Sequence, residues 1–339
     1  MRNLLRSKYT WASLGLVLSG LTLYLALREV SPWEVSRQVR QADTVWVVLA
    51  VLNVLVNTLF KGIRWYRLTG EVGRKAGVKR VMAVNVAGQL LNLIYPARAG
   101  DVSRVLIIGQ GGAEKAFTLG TVVLEKLADL VAFILLAAIL SVQLPLPTWL
   151  TRPVTVIAGV TLAGIAFVGW WASNKARGER LGSWLASRKV GWLPEQSWQS
   201  LIELVQMSLT AIELVRRRKL VFELAMWTSL VWLSAWLSNV LIWNALGMQD
   251  ALPGKMLPAT LLLLIGLMAG VAVPSVPGRI GVFEYICILA LAVFGIGQAQ
   301  ALTYGIILHA VVLLPALVIG AAALLWLSWK PSKQRTVSE

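Results

Sequence analysis

A chain of 339 residues that is 57% hydrophobic and only 14% charged falls outside the composition of a soluble globular domain. Its formal charge of +16 would suggest nucleic acid in a soluble protein, but here the cations collect between long apolar blocks, so nucleic acid is not the expected partner. One cysteine, Cys287, excludes an internal disulfide and any multi-cysteine metal site; in its apolar run it reads as a small core residue.

The first apolar block, Trp11–Leu27, follows Arg2, Arg6 and Lys8 and resembles a signal peptide. No small-residue cleavage site follows it, so an uncleaved first span is expected. A mixed-charge external loop with Arg37, Arg40 and Asp43 comes next, then a second span, Val45–Phe60. The basic loop Lys61–Arg80 carries seven Lys and Arg. After it the hydrophobic pattern breaks. Met82–Ala97 is apolar but short, contains Pro96, and leads through Arg98, Gly100, Asp101 and Arg104 into another short piece, Val105–Ile108. A re-entrant hairpin or broken helix pair fits better than two full helices.

A third span, Thr118–Leu144, carries Glu125, Lys126 and Asp129, and a fourth runs Pro153–Ala172. A cytoplasmic segment over about 174–219 holds nine cations between Lys175 and Lys219, and Pro194–Val215 has apolar residues at helical spacing, as an interfacial or partner-binding helix would. A fifth span, Leu220–Leu246, precedes a second break. Met256–Pro274 is followed by Pro277, Arg279, Gly281 and Glu284 and a second short apolar piece. The sixth span is Leu302–Leu327, and 331–339 is expected to be a disordered tail. Blocks of this length read as transmembrane helices, and the short alternating strands of an outer-membrane barrel are missing.

The fold expected is an all-α integral membrane protein, a single polytopic domain over 1–330, with about six full spans and two re-entrant hairpins. The cation-rich segments and both termini belong in the cytoplasm by the positive-inside rule, which makes this a multi-pass inner-membrane protein. Pro96, Arg98 and Gly100 match Pro277, Arg279 and Gly281 at a constant offset of 181. The charge rule gives the two breaks opposite orientations, so repeat one (about 45–145) and repeat two (about 220–328) form an inverted repeat, the architecture typical of secondary transporters. In such a fold a half-helix N-terminus beside an Arg suits an anionic group, phosphate in particular. Ionisable residues inside a span each cost roughly 2.5–3.5 kcal/mol at the helix centre and are functional candidates. Arg98, Gly100, Asp101, Arg104, Arg279, Gly281 and Glu284 are therefore the expected substrate-binding residues. Glu125 and Asp129, which share one helix face, are expected either to couple transport or to pair with Arg98 and Arg104. A structural network holding the hairpin in place fits the same residues. His309 reads as a packed residue or a proton relay.

Four motifs carry a family resemblance: Arg64-Trp65-Tyr66-Arg67-Leu68; Asn92 through Pro96 and Arg98 to Arg104; Glu125-Lys126-Leu127-Ala128-Asp129; and Pro277-Gly278-Arg279-Ile280-Gly281-Val282-Phe283-Glu284. With these the chain, over roughly 10–328, resembles the membrane domain of lysylphosphatidylglycerol synthases, the lipid-flipping half of those two-part proteins. Arg279 stands where that family often has Gly. About ten residues follow the last expected span, so the resemblance implies a stand-alone translocase domain without the soluble synthase. What it implies is a transporter of a phospholipid or other lipid-linked phosphate, with the oligomeric state open, not an enzyme and with no catalytic residue, cofactor or metal. No Gly-x-x-x-x-Gly-Lys loop is present to bind a nucleotide. A membrane scaffold binding a partner through the cytoplasmic segment, and an enzyme acting on a lipid-linked substrate, are the alternatives.

Overall fold

The computed structural model describes residues 2–95, 99–109, 111–172, 214, 217–271 and 275–329. Pro96, Arg98, the Pro194–Val215 stretch apart from Leu214, and the tail lie outside the described residues. Those described are helical, with no strand among them: α1 (Arg2–Leu27), α2 (Pro32–Gln41), α3 (Thr44–Ala76), α4 (Val78–Ile94), α5 (Ala99–Ile108), α6 (Gly112–Gln143), α7 (Thr148–Ala172), α8 (Arg218–Ala245), α9 (Met248–Ala251), α10 (Met256–Gly270), α11 (Val282–Ala292) and α12 (Gln298–Trp329). Each of the six expected spans falls on one of these helices. Among the described residues α3, α7, α8 and α12 are long and apolar enough to cross a membrane. The apolar part of α1 is shorter, Gly15–Leu27, and α6 carries Glu125, Lys126 and Asp129 in its middle.

Two segments expected as loops are helices. Residues 32–41 form α2, with Pro32 at its start, Glu34 in the first turn and Arg40 in the last, each suited to the helix dipole at its own end. The basic stretch 61–69 continues α3 beyond the apolar block, and 71–76 follows after a kink at Gly70, whose φ of 53° is not helical. Lys and Arg are good helix formers, and Trp65 and Leu68 give this part of the helix a buried face. The helix starts where the Asp43 carboxylate accepts the Val45 N–H at 2.8 Å and ends at Gly77, with φ of 85°.

Helices α3 and α8 run antiparallel along one another. At one end the Asp43 N–H donates to the Ala245 carbonyl at 2.8 Å. Asn53 Nδ2 donates to the Ser234 carbonyl at 2.7 Å and to Ser238 Oγ at 2.8 Å, and Asn57 Nδ2 to the Val231 carbonyl at 2.7 Å. At the other end Arg67 makes a two-pronged ion pair with Glu223, at 2.9 and 2.7 Å. Lipid gives apolar surfaces no reason to associate, so such cross-helix polar bonds and close packing hold the pair.

Both breaks in the hydrophobic pattern become pairs of short helices packed side by side, α4 with α5 and α10 with α11. At 17, 10, 15 and 11 residues they are about 26, 15, 23 and 17 Å long, each short of the roughly 30 Å of a bilayer core. Helix α4 packs on α12 and on the 3-10 turn Pro277–Arg279, while α1 lies over α11. An apolar core joins α3, α6, α8 and α10 to α12. A second, smaller cluster around Trp65, Val81, Val84 and Ile108 sits beneath the basic end of α3.

Candidate functional site

Glu125 and Asp129 stand one turn apart on α6, where two carboxylates alone would repel. Arg64 of α3 satisfies both. Its Nη1 donates to Asp129 Oδ1 at 2.6 Å, and its Nη2 lies 3.2 Å from both Asp129 Oδ2 and Glu125 Oε1. Nη1 also reaches Thr228 Oγ1 of α8 at 3.1 Å. Trp232 of α8 donates its indole N–H to Asp129 Oδ1 at 3.3 Å. Arg104 of α5 takes the other oxygen of Glu125 at 3.3 Å and Asn85 Oδ1 of α4 at 2.8 Å. Its guanidinium lies 4.7 Å over the ring of Trp65, a cation–π contact. Asp101 closes the cluster, 3.2 Å from Arg104 Nη2 and 3.4 Å from Lys126 Nζ. Asn92 of α4 donates to the Asp101 carboxylate at 3.0 Å and accepts the Asp101 N–H at 3.1 Å.

Of the pairing expected for the two carboxylates, Glu125 with Arg104 is present; Asp129 meets Arg64 instead, and Arg98 lies outside the described residues. Arg64, a residue assigned to a loop, carries most of the rest. Arg64, Arg104 and Glu125 are buried, at 2%, 3% and 4% exposure, whereas Asp129 and Lys126 show 28% and 33% of their side chains. The network thus has a sealed interior and an open rim.

Two properties set its chemistry. Lys61, half-buried one turn before Arg64 on α3, lies within electrostatic reach of Asp129 and Glu125, so that with Arg64, Arg104 and Lys126 it sets four cations against the three carboxylates Asp101, Glu125 and Asp129. Donors also outnumber acceptors. Arg64 Nε, Arg104 Nε, Asn85 Nδ2, Gln89 Nε2 and Trp65 Nε1 are buried without a hydrogen-bond partner among the described residues. Arg104 Nη2, though near Asp101, has no N–H aimed at it. Asn85, Gln89 and Asn92 recur at helical spacing on one face of α4. Buried donors left unmade each cost about 1–3 kcal/mol. A tetrahedral oxyanion, an acceptor on every side, matches such a surplus of positive charge and N–H groups.

Gly100 is where α4 and α5 touch: a Cβ there would run into the Gly88 carbonyl and Asn92. At the second break Gly281, with φ of 89°, lies under α1, where a Cβ would fall 2.5 Å from the Ser19 carbonyl. Ser19 Oγ accepts the Val276 N–H at 3.1 Å. The Glu284 carboxylate accepts the Gly281 N–H at 2.7 Å and meets His309 Nδ1 of α12 at 2.6 Å. Phe283 stacks on the His309 ring at 4.3 Å. Arg279 is half-buried in the turn that packs on α4, and it alone among the described non-glycine residues has a positive φ, 58°, a conformation uncommon for a side chain with a Cβ.

The comparison with known families decides the relationship. The model of the lysylphosphatidylglycerol synthase TM region matches residues 12–320. The chain belongs to this family. A relative, the UPF0104 membrane protein of Methanothermobacter thermautotrophicus, is 25% identical over 286 residues, covering 80% of this chain and 82% of its own length. Glycosyltransferase AglD of Haloferax volcanii is 25% identical over 338 residues, or 93% of this chain. The match spans 54% of AglD, so this family member corresponds to about half of that protein. The family region takes in every helix that builds the Arg64–Arg104 network and both short helix pairs.

Proposed function

We propose that the chain is a lipid translocase that moves an anionic, phosphate-bearing lipid between leaflets by alternating access. One observation carries the reading. With Lys61 in electrostatic reach of Asp129, a network inside a membrane protein sets four cations against three carboxylates, and several of its buried N–H donors have no partner among the described residues. Most buried polar groups in folded proteins are paired, so a network that only held helices together would be expected to leave fewer such donors.

The site is proposed to lie within an inverted repeat. The antiparallel course of α3 and α8, the two short helix pairs and the 181-residue offset between Gly100 and Gly281 support that arrangement. The cation-rich end of α3, with Arg74 and Lys75 in its last turn, is placed in the cytoplasm by the charge rule, and the termini with it. Arg98, which falls between α4 and α5 in the sequence, and Arg279, in the turn against α4, would admit the headgroup. Glu284 and His309 would be the pair able to exchange a proton during the cycle.

The test is fluorescent-phosphatidylglycerol flipping in proteoliposomes. The reading expects flipping by the wild type and at least a tenfold slower rate for Arg104→Lys, whose ammonium cannot reproduce the guanidinium fork. Equal rates in empty and protein-containing vesicles would dismiss it.

The name of the Haloferax volcanii relative favours a second reading, in which the chain acts on a lipid-linked sugar. Turnover of such a lipid by the pure protein would establish that reading instead.

A further inference from the structure

A cavity of about 380 Å³ opens sideways between α6, α8 and α10. Its floor is apolar: Leu261 and Trp232 are 5% and 8% exposed. Its lips, Leu135, Leu233 and Ile139, are 50% exposed or more. The groove borders the apolar run of α8, so what it faces is the bilayer.

Direction follows from the helices. Arg64 pairs with Glu125 and Asp129, and Lys75 with Glu114, so α6, like α8, runs antiparallel to α3. Helices α6 and α8 are therefore parallel. The groove extends from Ser229 to Trp236 on α8 and from Ala132 to Ile139 on α6, a length of about 10 Å at 1.5 Å per residue. Its lower end stops one turn from Asp129. There Trp232 belongs to both regions: its ring lines the groove and its N–H bonds Asp129. The exposed rim of the charged network, Lys126 and Asp129, meets the apolar groove at this point.

We infer that the groove seats an acyl chain of a lipid whose phosphate end points toward Lys126 and Arg64. An apolar slot that ends on a cationic surplus has the polarity of a phospholipid. Its direction fits a lipid of the cytoplasmic leaflet, headgroup toward the basic end of α3 and tail toward the bilayer centre. In this conformation the protein is open to that leaflet. The seat deepens the translocase reading and rests on it for the lipid being cargo.

The experiment uses the full chain in liposomes containing a phosphatidylglycerol with a diazirine in one acyl chain. After illumination, labelled peptides are mapped by mass spectrometry. Labelling of Leu136, Leu233 and Leu261 is expected at five times or more that of Val156, Val160 and Leu162, which face outward on α7 and are at least 60% exposed. Moving the diazirine from the chain end toward the glycerol should shift the label from Ile139 toward Ala132. Equal labelling of α7 and the groove would overturn the seat, and needs no variant that might misfold. Leu257→Trp, at a rim position 41% exposed, should cut groove labelling at least threefold, whereas Val160→Trp should leave it unchanged. Concentrated, position-dependent labelling together with an absence of flipping would keep the seat and discard the translocase. Flipping with no preference for the groove would do the reverse.

Discussion

Asn53 and Ser234 bond to each other in both directions. Asn53 Nδ2 donates to the Ser234 carbonyl at 2.7 Å, and Ser234 Oγ donates to Asn53 Oδ1 at 3.0 Å. They are 181 positions apart, the spacing that relates Gly100 to Gly281. In two antiparallel helices related by a two-fold axis, a residue that faces its own counterpart lies on that axis. The pair would therefore mark the centre of the proposed inverted repeat, where α3 and α8 cross. The charged network would depart from that symmetry. At the offset of 181, Arg64, Glu125 and Asp129 fall on Ala245, Ile306 and Ala310, so the cationic cluster would belong to one half of the proposed repeat.

A double-mutant cycle on Asn53→Ala and Ser234→Ala should give a coupling of about 0.6 kcal/mol, up to about 1.7 kcal/mol, the range of cross-helix bonds in membranes. Asn53→Ala alone should be the more damaging single change, since it also drops the bond to Ser238. Thermal unfolding in detergent measures both. The Ser234 backbone carbonyl survives in the alanine variant, so a coupling of zero would show that the Ser234 hydroxyl bond to Asn53 contributes nothing to the α3–α8 interface.

Arg64→Ala should be among the most destabilising changes in the chain. It leaves Glu125 with Arg104 and, at 4.0 Å, Lys126, and leaves Asp129 with the Trp232 indole as its one hydrogen-bond donor among the described residues. Breaking a buried pair from one side costs about 3–5 kcal/mol. Adding Asp129→Asn to Arg64→Ala should recover part of the loss, because it removes one of the stranded charges. Folded yield and melting temperature of the single and double variants check this; a double variant less stable than Arg64→Ala would contradict it.

Asn85→Leu separates structure from binding. Asn85 Oδ1 accepts from Arg104 at 2.8 Å while its own Nδ2 is unpaired among the described residues. If the unpaired donors serve an oxyanion, the variant should weaken retention of an anionic lipid, read by native mass spectrometry, by at least fivefold, and leave a zwitterionic lipid unaffected. An equal loss of both would mean that Asn85 only holds Arg104 in place.

How much of this is legible in the sequence depends on what each residue's neighbours make visible. Glu125 and Asp129 stand out because carboxylates in an apolar run are conspicuous, and Arg104 follows as a partner. The breaks are legible through Pro96 and Pro277. Arg64 is not. Cations beyond an apolar block mark loops under the positive-inside rule, and that rule hides a guanidinium buried within a continuing helix. The contrary signal is present: Trp65, Leu68, Val72 and Ala76 recur at spacings of three and four, and Trp65, Val72 and Ala76 pack in the smaller core. For Trp232, nothing local to α8 foretells an Asp partner on α6. Residues 32–41 are masked by their charge, although Pro32 and Glu34 are helix-start residues.

Glycine substitutions separate tight packing from tolerance of sequence. Gly100→Ala should push α5 away from α4, since its Cβ meets the Gly88 carbonyl and Asn92 and backbone cannot rotate aside as a side chain can. Arg104 rides on α5, so its reach to Glu125 would lengthen with that shift. The expected result is a loss of about 1–3 kcal/mol, as for overpacking, together with slower lipid flipping. Gly281→Ala suffers twice, from φ of 89° and from contact with the Ser19 carbonyl, and should cost at least as much. Gly159, in mid-α7, has nothing within 4 Å of the place a Cβ would take, so Gly159→Ala should be neutral or stabilising by up to about 1 kcal/mol through helix propensity. Melting temperatures of the three variants, measured in one detergent, give the order directly. A Gly100→Ala protein as stable as Gly159→Ala would mean that α4 and α5 are not held at this contact.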